Sequence, residues 1–113
     1  MEQEIKNAIK EVSAFKDLMD MNSASNKLTE LSVLHASLTS EIAKSQNVFD
    51  ILLNNMIYSS KSVAEAKIRA NATPEHLKLN ELVNLEKSLV ECIRSLKIWI
   101  KIRANEYQNS FNM

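Results

Sequence analysis

Between Leu28 and Ala70, a series of mostly apolar residues repeats with alternating steps of three and four residues. This seam consists of Leu28, Leu31, His35, Leu38, Ile42, Ser45, Phe49, Leu52, Met56, Ser59, Val63, Ala66 and Ala70. Heptad spacing of this kind is typical of a helix that buries one side against another helix. The pattern predicts an all-α protein organised around one continuous central helix over residues 24–71.

A shorter apolar stripe precedes the seam and predicts an N-terminal helix over residues 2–20. Its members are Ile5, Ala8, Val12, Phe15 and Met19. From Met19 to Leu28 the heptad spacing fails, and residues 21–26 are rich in asparagine and serine, which cap helices or turn the chain. We expect a connection there with Ser23 or Ser25 as the N-cap. A kinked but continuous helix is the alternative.

A second break is indicated by the segment Asn71-Ala72-Thr73-Pro74. Asn71 can adopt the left-handed conformation that ends many helices, Thr73 can cap the next helix, and Pro74 suits a first helical turn. These signals predict a helical hairpin with its tip near Ala72, followed by a C-terminal helix over residues 74–107. A tip at this position would place His76 beside Arg69 or Ala70.

The predicted architecture is an elongated antiparallel helical hairpin that forms a three-helix, coiled-coil-like bundle in a single domain over residues 1–113. The chain has no glycine and one proline. Because tight turns favour residues that tolerate positive φ, this composition argues against a sheet. The two shorter helices together match the central helix of roughly 70 Å. Such a thin rod leaves one side uncovered, so we expect a homodimer.

Composition and charge narrow the class of protein. Apolar residues make up 45% and charged residues 25% of the chain, as in a folded protein. The net charge is zero, with −3 up to Asp50 and +3 beyond it, which argues against a nucleic-acid coat protein. The charged start, the short apolar runs and the single cysteine, Cys92, lead us to expect a cytoplasmic protein without a membrane segment.

The sequence offers little catalytic chemistry. A chain without glycine cannot form the phosphate-binding loop, dinucleotide fingerprint or nucleophile elbow of common enzymes. We expect His35, at a seam position, to fix helix register, and His76 to lie too far away to share a metal with it. Cys92 is expected to be a buried small residue. The prediction is a protein that is not an enzyme, with no cofactor, metal or small-molecule substrate.

One basic cluster surrounds the single tryptophan. No acidic residue occurs from Ile93 to Asn105, and the candidate site comprises Arg94, Lys97, Trp99, Lys101 and Arg103. Cations around an aromatic ring can bind a phosphate backbone and stack a base, or anchor a protein interface. The alternative is that Trp99 packs in the core and the cations form a solvated surface.

Three segments carry a resemblance to a known group of proteins. They are Val63-Ala64-Glu65-Ala66-Lys67-Ile68-Arg69-Ala70, then Thr73-Pro74-Glu75, and then Leu85 to Lys97, which ends in Ile-Arg-Ser-Leu-Lys. Together they resemble small helical accessory proteins encoded in the replication and recombination modules of phages and prophages. Among the candidate site residues, this motif includes Arg94 and Lys97.

The resemblance implies a non-catalytic protein that binds a protein or nucleoprotein machine in a bacterial host. Small size, the lack of an active-site signature and near-neutral charge fit either of two partners, a replication or recombination protein of the phage or a host defence nuclease, such as a CRISPR effector, that the chain inhibits. The alternative is a helical protein that binds single-stranded nucleic acid through the basic residues from Arg94 to Arg103.

Overall fold

The computed structural model describes residues 1–112, and the side chains of all of these except Lys16 and residues 110–112. Every regular element in that range is helical. The elements are α1 (Glu2–Phe15), a three-residue 3₁₀ turn (Lys16–Leu18), α2 (Met21–Ser59), α3 (Val63–Asn71) and α4 (Pro74–Asn112). The predicted all-α class is confirmed.

The chain folds as two compact units. The terminal unit contains Met1–Ala36 together with the chain from Leu85 onward, and the central unit contains Ser37–Asn84. Each unit is built from three helical segments, because α2 and α4 contribute residues to both.

The terminal unit packs α1, the first part of α2 and the later part of α4 around a shared apolar core. The short connection between α1 and α2 makes these two helices antiparallel neighbours. Lys27 on α2 forms an ion pair with Glu11 on α1 and a second one, 3.1 Å long, with Glu30. The buried core residues are Ile5, Ala8, Val12, Ala24, Leu31, Leu85, Leu89, Cys92 and Leu96.

The connection between α1 and α2 lies earlier in the chain than predicted. The N-terminal helix ends at Phe15 rather than near residue 20, and α2 already begins at Met21. Asp20, not Ser23 or Ser25, caps α2, because its Oδ1 accepts a hydrogen bond of 2.7 Å from the backbone N–H of Ser23. This earlier start allows Ala24, which is fully buried, to pack as part of the helix.

The predicted continuous central helix over residues 24–71 is wrong, because the chain leaves the helix between Ser59 and Val63. Ser62 is extended, with φ −152° and ψ 162°, and its Oγ accepts a hydrogen bond of 3.1 Å from the N–H of Glu65. In return, Glu65 Oε2 accepts a bond of 3.2 Å from the N–H of Lys61. This reciprocal pair resembles a capping box and starts α3 as a separate helix.

Burial along the predicted seam follows the same break. Leu31 and Leu38 on α2 and Ala66 and Ala70 on α3 are fully buried. Ser59 and Val63, the two seam positions nearest to the break, are exposed. The heptad spacing therefore identified the buried side of both helices, but it continued in phase across the break and concealed it.

The break between α3 and α4 occurs where the sequence predicts it, although its conformation differs. Thr73 Oγ1 accepts a hydrogen bond from the N–H of His76, at 3.4 Å, as expected for a cap. Asn71 is not left-handed, since no described residue has a positive φ. Instead, the backbone N–H of Ala72 donates a hydrogen bond to the carbonyl oxygen of Arg69, and the N–H of Thr73 donates one to Ala70, each 3.2 Å long. These hydrogen bonds between residues three apart close the end of α3 without a left-handed residue.

The predicted hairpin tip near Ala72 is also wrong. His76 packs against Phe49 on α2, with ring centroids 5.2 Å apart, which pairs the start of α4 with residue 49 and not with the last residues of a helix that runs to Asn71. Because His76 is in the first turn of α4, the last ten residues of α2, after Phe49, extend beyond the start of α4 in the central unit. The third helix of this unit, α3, is the element that can cover them. The chain reverses direction at residues 60–62, where α2 ends, and the break near Ala72 only separates α3 from α4.

Candidate interaction surface

Two structural features are absent from the described residues. No helix among them is long and apolar enough to cross a membrane. No group of three or more His, Cys, Asp and Glu side chains in that part of the chain is placed to hold a metal ion.

In the terminal unit, one side of α4 and the connection after α1 form an open groove of about 340 Å³ around Trp99. The α4 residues of this Trp99 groove recur at intervals of three and four, which places them on one side of the helix. The lining residues are Asp17, Glu91, Arg94, Ser95, Ile98, Trp99 and Ile102.

The Trp99 groove exposes large apolar side chains. Ile98 and Ile102 are 52% and 53% exposed, and Trp99 is half-buried. Phe15 and Leu18, which flank Asp17 in sequence, are exposed as well. Single exposed apolar side chains are common, whereas several that share one groove form a candidate interaction surface.

Two of the predicted cations lie at the Trp99 groove. The guanidinium carbon of Arg103 is 5.2 Å from the centroid of the Trp99 ring, a cation–π arrangement. Arg94 lines the groove, and its Nη1 donates a hydrogen bond of 3.0 Å to Glu91 Oε1. The structure thus brings Arg94, Trp99 and Arg103 together at one surface.

The other two predicted cations do not join them. Lys97 and Lys101 each lie two positions from Trp99, and residues two apart project from different sides of an α-helix. Both side chains are exposed, and neither is among the lining residues of the groove. The predicted cluster of four cations around Trp99 therefore divides into the two arginines at the groove and the two lysines outside it.

The groove also contains two acidic residues that the sequence-based site does not include. Glu91 comes from α4, three positions before Arg94, so this ion pair is readable from helical spacing. Asp17 comes from the connection after α1, and no local pattern links it to α4. The groove has mixed charge as a result, although the sequence from Ile93 to Asn105 contains no acid.

The histidines and the cysteine are accounted for by packing. His35 Nε2 lies 3.6 Å from Glu86 Oε2 in the terminal unit, whereas His76 packs on Phe49 in the central unit. Cys92 is buried, as predicted, and borders a separate groove between α1 and α4.

The chain matches no protein-family model, no curated protein and no solved structure at a significant level.

Proposed function

We propose that this chain is a non-catalytic helical interaction protein that binds a protein partner through the Trp99 groove. The observation that supports this proposal is the partly exposed set of Trp99, Ile98 and Ile102 beside Arg94 and Arg103. Tryptophan and arginine contribute most of the binding energy in many protein interfaces, where they occupy the buried centre. Here they surround a groove that an apolar side chain of a partner can fill.

The chemistry of the groove favours a protein over a nucleic acid as its ligand. Glu91 and Asp17 repel phosphate groups, and the Trp99 ring is already contacted by Arg103. The half-exposed Ile98 and Ile102 gain most from contact with aliphatic or aromatic side chains, because burial removes their apolar surface from water. Mixed charge at the edge of the groove suits a partner that has both acidic and basic side chains.

The proposed setting is the cytoplasm of a bacterial host. The resemblance to phage accessory proteins supports two kinds of partner for the Trp99 groove. One is a replication or recombination protein of the same phage. The other is a host defence nuclease, such as a CRISPR effector, that the bound chain inhibits.

Comparative capture with matched variants tests this proposal. Tagged wild-type chain, Trp99→Ala and the control Leu77→Ala are used to purify proteins from infected bacteria. Leu77 is 60% exposed in the central unit, so its substitution removes a comparable apolar side chain away from the groove. The partner is expected with wild type and control, and its affinity for Trp99→Ala should fall about thirtyfold, as for an interface hot spot.

A photo-reactive amino acid placed at Ile98 identifies the protein that contacts the groove. The expected product is a cross-link to the same protein whose capture depends on Trp99. Equal capture by wild type and a folded Trp99→Ala variant would contradict the proposal, as would a cross-link to a different protein.

Single-stranded nucleic-acid binding is a second candidate, favoured by the spacing of Arg94, Lys97 and Lys101. Positions i, i+3 and i+7 align these three cations along α4, and all three are exposed. Binding to a fluorescent single-stranded oligonucleotide should weaken steeply with salt and be lost in Lys97→Glu. Lys10→Glu, an exposed change on α1, is the control. Absence of binding at low salt rejects this candidate.

A further inference from the structure

In the terminal unit, the groove that Cys92 borders, of about 500 Å³, adjoins the Trp99 groove along α4. Glu91 and Ser95 line both grooves, so the two form one continuous channel between α1 and α4. We call it the α1–α4 channel. Along α4 its lining includes a series at steps of three and four, a spacing that indicates packing against another helix. The series is Ser88, Glu91, Ser95, Ile98 and Ile102.

The α2 helix contacts α1 and α4 on the sides opposite to this channel. Glu11, which forms an ion pair with α2, is two positions from Ile9 of the channel, so the two lie on different sides of α1. Glu86, whose Oε2 lies 3.6 Å from His35 Nε2 on α2, is about two and a half turns before Ser95. The channel is therefore the side of the α1–α4 pair that α2 leaves uncovered.

The two walls of the channel run in the same direction. Ile9 and Lys87 line the end at Cys92, whereas Asp17 and Ile102 line the end at Trp99. Residue numbers thus increase together along both walls, so α1 and α4 are parallel and α2 is antiparallel to α1. A further helix in the channel, antiparallel to both walls, would complete an up-down-up-down four-helix bundle.

We propose that the α1–α4 channel binds an amphipathic helix of the partner protein, about four turns long and antiparallel to α4. This inference rests on the function proposed above and names the element of the partner that fills the Trp99 groove. From Lys87 to Ile102, α4 rises about 22 Å, the length of a helix of about 15 residues. Helices that bind in grooves use apolar residues three and four positions apart, which matches the spacing along the channel.

The backbone of the partner favours a helix over an extended segment. Every regular element among residues 1–112 is helical, so this part of the chain has no strand edge that an extended peptide could join. An extended segment over Val12 and Ile98 would leave its own N–H and C=O groups without partners, whereas a helix satisfies them internally. The small side chains of Ser88, Cys92 and Ser95 allow a helix to approach α4 closely.

Charge along the channel specifies the chemistry of the bound helix. Lys87 and Arg94 both line it, seven positions and about 10 Å apart along α4. Glu91 lies between them in sequence and pairs with Arg94 at 3.0 Å. A complementary helix carries two acidic residues seven positions apart with a basic residue between them, beside its apolar side. Such complementarity sets the register and the choice of partner.

Cross-links from two positions test the conformation and direction of the partner segment. The full chain carries p-benzoylphenylalanine at Ser88 or at Ile98, about 15 Å apart along α4, and mass spectrometry locates each attachment on the captured partner. An antiparallel helix places the attachments about ten residues apart in reversed order, whereas an extended segment places them about four or five residues apart. Any other order or spacing, or no attachment from Ser88, overturns the inference even when capture depends on Trp99.

Affinities for the purified partner separate this inference from the proposed function. Ser88→Trp fills the channel outside the Trp99 groove and should weaken binding about thirtyfold, whereas Ser25→Trp, an exposed change on α2, should not. Lys87→Glu should weaken binding about tenfold, unlike the control Lys67→Glu on α3. Circular dichroism establishes that all variants remain helical. Wild-type affinity in Ser88→Trp and Lys87→Glu overturns the helix inference, whereas capture that does not depend on Trp99 contradicts the proposed function.

Discussion

The imidazole ring of His76 packs against the phenyl ring of Phe49, with centroids 5.2 Å apart and ring planes inclined at 43°. This contact sets the register of α4 on α2 within the central unit. The Nε2 atom of His76 lies 3.0 Å from Asn80 Nδ2, whereas the Nδ1 atom is buried without a hydrogen-bond partner among the described residues. His76 therefore combines a packing role with an unsatisfied polar atom.

Replacement of His76 by phenylalanine should stabilise the protein. The substitution keeps an aromatic ring against Phe49 and removes the buried Nδ1, whose desolvation costs about 1 kcal/mol or more. The free energy of unfolding from urea denaturation should rise by about 1 kcal/mol. His35→Phe is the control, because His35 Nε2 faces Glu86 and its removal should bring no such gain. A less stable His76→Phe variant would contradict this prediction.

Removal of the Ser62 cap should weaken the start of α3. Ser62→Ala loses the hydrogen bond from the N–H of Glu65, so the free energy of unfolding should fall by about 1 kcal/mol. Ser62→Asp retains an acceptor and should stay close to wild type. Ser40→Ala, an exposed change within α2, is the control. A stabilised Ser62→Ala variant would indicate that α2 continues into α3 when the cap is absent.

The Asp20 cap should make stability depend on acidic pH. Hydrogen bonds from Ser23, first its backbone N–H and then its side chain, lower the pKa of Asp20 from 3.8. Because the folded-state pKa is depressed, the stabilisation is fully present above pH 3.8 and is lost as the pH falls through the lower folded-state pKa. Asp20→Asn should be less stable than wild type near neutral pH, and the difference should disappear in acid. A difference that does not change with pH would contradict this role.

Removing both acidic partners of Lys27 should destabilise the protein more than replacing Lys27 itself by an uncharged side chain. Partial burial disfavours the charged form of Lys27, but hydrogen bonds to Glu11 and Glu30 outweigh it and raise the pKa above 10.5. This stabilisation is fully present below pH 10.5 and is lost as the pH rises through the raised pKa. The double variant Glu11→Gln, Glu30→Gln should lose about 1 kcal/mol, because Lys27 stays partly buried without its partners.

Lys27→Met is the companion variant for this prediction. The Lys27 side chain is 14% exposed, so a methionine can fill the same space without a charge to desolvate. Thermal unfolding should show a smaller loss for Lys27→Met than for the double glutamate variant. The reverse order would mean that the ion pairs themselves supply net stability.

Local sequence determined the helical class, the buried side of α2 and the position of the break before Pro74. Leu31 and Leu38 are buried as the heptad spacing predicts, because periodicity records which side of a helix avoids water. The end of α3 at Asn71 and the start of α4 at Pro74 follow from local backbone preferences, which neighbouring residues set without help from distant ones.

The interruption at Ser62 had a local signal that the periodicity concealed. Serine followed three residues later by glutamate is a recognisable capping pattern, and Ser62 and Glu65 form it. A cap changes stability by only about 1 kcal/mol, so the spacing alone did not indicate whether the helix stops or continues. Burial of Ala66 and Ala70 on a separate helix shows which outcome the packing favours.

Tertiary structure alone decided the register of α4 and the composition of the Trp99 groove. His76 could meet Phe49 only because α2 extends beyond the start of α4, and no spacing in the sequence records that distance. Asp17 joins Glu91 and Arg94 because the connection after α1 is packed near α4. Sequence patterns report which side of each helix is apolar, whereas the choice of neighbour depends on how the apolar sides of all the helices fit together.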